Sequence, residues 1–122
     1  MANQQQLDLL RQGVTENWNR WRLEYPDTRP ELQAVDLTEA SLGGVDLTNA
    51  DLSGADLSKA DLNNANLSGA SLVGADLTSA DLNEANFTNA NVRAANLSWT
   101  NVDEAIISAE QLNLALSPRD DF

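Results

Sequence analysis

The chain contains no cysteine and no histidine. Without cysteine there is no disulfide and no thiolate metal site. Without histidine, the commonest general base and the commonest metal ligand are both missing. Basic residues are scarce: 7 Lys and Arg stand against 19 Asp and Glu, for a net charge of −12. That balance weighs against direct contact with nucleic acid or anionic lipid. No apolar run is long enough to form a membrane-spanning helix. The polar start, Met1 to Gln6, has no apolar signal core, so a cytoplasmic protein is expected. A phosphate-binding glycine loop, a nucleophile elbow and zinc-ligand spacing are also absent. These absences argue against an enzyme and against a cofactor. The length of 122 residues fits one domain.

What is present is a repeat. Leucine recurs every fifth residue at Leu37, Leu42, Leu47, Leu52, Leu57, Leu62, Leu67, Leu72, Leu77 and Leu82. The register continues through Phe87, Val92, Leu97, Val102 and Ile107. Two residues before each stands Ala, or Val at Val35 and Val45, with Thr100 the polar exception. Val35 to Ala109 therefore holds 15 unbroken pentapeptides. In an α-helix five residues advance the face by about 140°, so these leucines would spiral around the axis. In extended backbone, residues two apart share a face, so each Ala-x-Leu reads as a short inward-facing strand. The two residues that follow form a corner, where Gly44, Gly54, Gly69, Gly74, Asn49, Asn64 and Asn89 suit sharp turns.

The runs Ala50-Asp51-Leu52-Ser53-Gly54, Ala55-Asp56-Leu57-Ser58-Lys59 and Ala65-Asn66-Leu67-Ser68-Gly69 resemble the pentapeptide-repeat proteins, whose pattern is Ala-(Asp/Asn)-Leu-x-x. The resemblance covers residues 35–109. It implies an all-β solenoid, a right-handed β-helix of square cross-section with four repeats per coil and nearly four coils. Every twentieth residue then stacks. Leu37, Leu57, Leu77 and Leu97 form one column, and Leu47, Leu67, Phe87 and Ile107 another. The larger Phe87 is expected to widen its column locally. A lumen filled by leucine leaves no internal pocket for a substrate.

A solenoid needs caps. Leu7, Leu10, Val14, Trp18, Trp21 and Tyr25 lie on one helix face, so residues 1–25 are expected to form an N-terminal helical cap, with a possible bend at Gly13. This segment is also similar to the leader of some cyanobacterial members of the family. The arginines beside Trp18 and Trp21 are placed on or near the wet side. Residues 26–34, with Pro26 and Pro30, read as a linker into the first strand. Residues 110–122 read as a C-terminal cap and loose tail. Ser108 and Gln111 resemble a capping box, Leu112, Leu114 and Leu116 supply apolar surface, and Pro118 ends the segment.

Residues 35–109 carry 11 acids and two bases, Lys59 and Arg93, and net −9. The expected function is an acidic rod that acts as a protein-interaction module, with an unknown protein partner, no direct nucleic-acid binding and no membrane. Its candidate surface comprises the stacked acids Asp36, Asp56 and Asp76, the pair Asp61 and Asp81, the outward-pointing Trp99, and Arg93 near Val73. The regular carboxylates are explained by the repeat without catalysis, and as stacked like charges they make a poor metal site. The alternative is a DNA mimic. Nine charges over a rod of roughly 18 Å approach the one per ~1.7 Å of duplex DNA. Some pentapeptide-repeat proteins resemble DNA in shape and charge and act on DNA gyrase, but those are longer and form dimeric rods. One copy here spans only about half a DNA turn. The chain is accordingly expected to be a monomer or an end-to-end homodimer.

Overall fold

The computed structural model describes residues 2–115. Each pentapeptide is numbered one to five here, with Ala first and Leu third. Second-position residues pair in parallel with the residue 20 further on: Asp36 with Asp56, Asp56 with Asp76, and Asp76 with Asn96. Twenty residues per turn means four pentapeptides per coil, so the coil has four sides. Three backbone hydrogen bonds join each pentapeptide to its neighbours above and below. The third-position N–H donates to the second-position carbonyl of the next coil, as in Leu37 N–H to Asp56 O at 2.8 Å. The fifth-position N–H donates to the next fourth-position carbonyl, as in Glu39 to Ser58 at 2.9 Å. The second-position N–H donates back to the preceding first-position carbonyl, as in Asp56 to Val35 at 2.9 Å.

Within this pattern the described residues form single-residue bridges and no multi-residue strand. The reason is geometric: each side is too short for a ladder before the next corner interrupts it. The corner is a β-turn closed by a bond such as Ala40 N–H to Leu37 O at 3.1 Å. Only its third residue has positive φ, which is the type II pattern. Glycine fits that position at Gly54 with φ 69°, but Lys59 occupies it too at 61°. Second-position Asp or Asn stiffens the approach to the corner. Asp56 Oδ1 accepts the Ser58 N–H at 3.0 Å and the Ser58 hydroxyl at 2.6 Å.

The lumen is packed with third-position side chains, and those from Leu37 to Val92 are buried, Phe87 included. The bonds on either side of Phe87 keep the common 2.8 Å length, at Leu67 N–H to Asn86 O and at Phe87 N–H to Ile106 O, so the backbone does not spread along the axis there. Leu97, Val102 and Ile107 are only partly buried, because among the described residues no coil lies above them.

The solenoid begins earlier than the sequence reading placed it. Residues 30–34 form a pentapeptide of the first coil, not a linker. Leu32 is fully buried, Glu31 bridges Asp51, and Asp51 N–H donates to Pro30 O at 2.9 Å. Pro30 is tolerated because a first-position residue supplies only its carbonyl to the next coil.

The N-terminal segment is two helices, α1 (Gln4–Arg11) and α2 (Thr15–Glu24), rather than one. The chain breaks at Gly13, whose φ of 74° lies outside the helical region. The break ends the single face: Leu7, Leu10 and Trp18 are buried, while Val14 and Tyr25 are exposed. These helices stand in for a preceding coil. Backbone groups of the first coil that would otherwise lack a partner are met one by one. Asn3 N–H donates to Glu31 O, and Gln6 Oε1 accepts from Glu31 N–H. Arg11 reaches Asp36 O, and Thr15 Oγ1 donates to Gly43 O. Trp18 Nε1 donates to Asp46 O at 2.8 Å, while Asn19 Oδ1 accepts from Asp46 N–H at 2.9 Å. Arg22 does not lie on the wet side. It is 8% exposed and donates to Thr28 O and Thr48 O, with Asp46 Oδ1 3.9 Å from its Nε. A buried guanidinium is held by the carbonyls it satisfies.

At the other end, α3 (Ala109–Leu114) begins with a capping box formed by Ser108 and Gln111. None of its residues is buried, and Leu112 and Leu114 stay exposed. The features expected at Leu116, Pro118 and the tail lie outside the described residues.

Candidate interaction surface

The 20-residue register sorts the outer residues into four columns of second positions. Side A carries Glu31, Asp51, Ser71 and Asn91, and side B carries Asp36, Asp56, Asp76 and Asn96. Side C carries Ser41, Asp61, Asp81 and Asn101, and side D carries Asp46, Asn66, Asn86 and Ile106. The corner after side B stacks Glu39, Lys59, Ser79 and Trp99, and the corner after side C includes Glu84 and Glu104. Charge is therefore lopsided. Sides B and C with their trailing corners hold nine carboxylates and one base, Lys59. Sides A and D of the coil hold three, Glu31, Asp51 and Asp46, with Arg93 opposing them. The predicted residues consequently fall into two places. Asp36, Asp56 and Asp76 share side B, Asp61 and Asp81 share side C, and Trp99 stands on the corner between those sides. Arg93 lies on side A, apart from them. There it lines a groove of about 560 Å³ between α3 and the last coil, together with Asn91, Glu110 and Gln111.

Trp99 is 84% exposed, so among the described residues no segment folds back over it. Its φ of 64° follows from its corner position and turns the side chain outward.

Stacked acids repel, yet the carboxyls of Asp36, Asp51 and Asp56 are all lowered. The Ser58 hydroxyl, then the Ser58 N–H, holds the Asp56 carboxyl below its ordinary value, against burial and the charge of Asp36. The Thr38 hydroxyl and N–H do the same for Asp36, helped by Arg11. At Asp51 burial is the largest influence and pushes upward, but Ser53, Gln33 and Arg29 together outweigh it and the carboxyl is lowered. At Asp56, hydrogen bonds to the charged form thus outweigh the like charge of Asp36. Among the described residues no group of three or more Asp or Glu is placed to hold a metal ion.

Three features escaped the sequence. Leu23 is 81% exposed on α2. Ile106, 57% exposed, occupies a second position where a polar residue otherwise stands, and that departure from the pattern was its only signal. The third is how little the expected C-terminal cap covers: among the described residues it leaves backbone N–H groups of sides B and C without a partner.

A parallel, four-sided coil of pentapeptides defines the class of the molecule. A family model described as pentapeptide repeats (8 copies) matches residues 31–69 and again residues 70–108. The chain belongs to the pentapeptide-repeat family. Among solved structures it is similar to HetL of Nostoc sp. PCC 7120, a pentapeptide repeat protein involved in heterocyst differentiation regulation. The identity is 34% and the TM-score 0.53, over 75% of this chain and 42% of HetL. It is also similar to alr5209 of Nostoc PCC 7120, with 36% identity and a TM-score of 0.49 over 71% of this chain and 72% of that one. Rfr23 of Cyanothece 51142 shares 39% identity with a TM-score of 0.44, over 67% and 60% of the two chains. The chain thus spans less than half the length of HetL. No curated protein matches the chain.

Proposed function

We propose that this chain is a non-enzymatic interaction module: a right-handed, four-sided rod that offers sides B and C to a basic protein partner. The observation that carries the reading is the gathering of nine carboxylates on two adjacent sides, with Trp99 exposed where they meet. Charge of one sign steers a partner, while an exposed tryptophan supplies the apolar anchor that charge alone does not. The involvement of HetL in regulating differentiation is in keeping with a binding role. The DNA-mimic reading draws on the same charge. Duplex DNA is charged on every side, whereas sides A and D here are nearly bare, which favours a one-sided partner.

The test is capture of partners from the source organism's lysate at low and high salt, with mass spectrometry. The expected result is a discrete partner that survives high salt and is lost with Trp99→Ala. Capture only of DNA-handling proteins, and only at low salt where screening is weak, would instead support the mimic.

A further inference from the structure

The two ends of the coil differ in how their backbone is satisfied. At the N-terminal end, α1, α2 and the N-cap Asn3 supply donors to the carbonyls of Glu31, Asp36, Gly43, Asp46 and Thr48. At the C-terminal end, among the described residues, α3 serves side A and the Phe87 carbonyl of side D, to which Gln111 Nε2 donates at 2.6 Å. Ala94 N–H donates to Leu114 O at 2.9 Å, and Gln111 Nε2 donates to Ala90 O at 3.0 Å. On sides B and C, among the described residues, the N–H groups of Leu97, Trp99, Val102 and Glu104 have no partner, nor has the Ala95 carbonyl.

These are the donors and acceptors that every lower coil uses to hold the coil above it. Two N–H groups and one carbonyl on side B repeat the spacing by which Leu77, Ser79 and Ala75 grip Asn96 and Ser98. An extended segment laid along side B meets the same ladder. Its alternate side chains would cover Ala95 and the half-buried Leu97, and the intervening ones would point outward. Trp99 stands at the end of that track.

We infer that the open end of sides B and C takes up an extended, basic segment of a partner protein as an added rung of the coil. Charge selects this occupant. From Ala94 to Ala115 the chain has Asp103, Glu104 and Glu110 and no Lys or Arg. A second copy would set one acidic rim against another, and residues 116–122 hold one base, Arg119, against Asp120 and Asp121, for a net of −1. The inference rests on the interaction-module reading and names the form of its partner.

The experiment is amide hydrogen exchange on the full chain, resolved by residue, with and without the peptide Val-Lys-Val-Lys-Val-Lys. The expected result is slowing of exchange at Leu97 and Trp99 by about tenfold or more, weaker at high salt and absent with Glu in place of Lys in the peptide. Trp99→Ala, at an exposed corner whose equivalent Ala94 already has φ 60°, should keep the fold and weaken peptide binding about tenfold. Three outcomes overturn the inference. One is unchanged exchange at these amides under a saturating excess of the peptide. Another is protection in the free chain that is independent of concentration, which assigns the edge to residues 116–122. The third is protection that rises with chain concentration, which assigns it to a second copy. A lysate partner that binds while these amides still exchange fast would overturn strand addition and leave the module reading standing.

Discussion

At the residue scale the second position does most to shape the corner. Asp and Asn alternate there because both present an Oδ1 to the N–H two residues on: Asp56 to Ser58 at 3.0 Å, Asn66 to Ser68 at 3.0 Å. The turn needs the acceptor and not the charge. Asp56→Asn is therefore expected to change stability by less than about 0.5 kcal/mol at neutral pH. Asp56→Ala removes the acceptor from both the N–H and the hydroxyl and should cost about 1 kcal/mol. Chemical denaturation of the two variants checks this. The charge appears in the pH dependence. The Asp56 carboxyl is lowered from 3.8 in the folded chain, so its contribution is present above that unfolded value and is lost as pH falls through the folded one. Acid titration of stability below about pH 4 should consequently be shallower in Asp56→Asn than in the parent. An equally steep curve would place the acid-sensitive groups elsewhere.

At the scale of elements, the N-terminal helices are a coil made of side chains. Their helical backbone bonds are satisfied internally, so they must meet the first coil through Trp18, Asn19, Arg22 and their neighbours. Trp18 contributes twice, since it is 1% exposed over the lumen and its Nε1 donates to Asp46 O. Trp18→Ala should cost about 3–5 kcal/mol from lost packing, with a further loss from the orphaned carbonyl. Amides of the first coil should then exchange before those of the middle coils, because a stacked repeat opens from an unprotected end. Uniform exchange along the coil would mean that the helices add stability without acting as a cap.

On the scale of the whole molecule, one lumen runs through the stack, and each coil gains its apolar cover from the next. Leu67 is fully buried in the middle of it. Leu67→Asp places an unpaired carboxylate there and is expected to lower the melting temperature by more than about 10 °C, or to prevent folding. A melt within a degree or two of the parent would overturn the assigned register. The outer surface obeys no such constraint, which is why charge could collect on sides B and C without disturbing the stack.

The five-residue period was legible because packing imposes it: a lumen of this width accepts an aliphatic third residue and a small first one, and the chain must repeat them. From that period came the inward faces, the corners and the run of buried side chains from Leu37 to Val92. Its start was misjudged at Leu32, since Pro30 and Ala34 disguise a pentapeptide whose stacking partners lie 20 residues away. The division of the N-terminal helix at Gly13 and the burial of Arg22 depend on carbonyls of the first coil, which the local sequence does not display. The sorting of carboxylates was hidden for a related reason. Asp36, Asp56 and Asp76 become neighbours only when the coil closes at 20 residues, and the unpaired edge beside Trp99 exists only because the coil stops there among the described residues. Sequence alone determined what faces in; closure of the coil in three dimensions decided which outward groups meet, because that depends on how many residues make a turn and not on which residues they are.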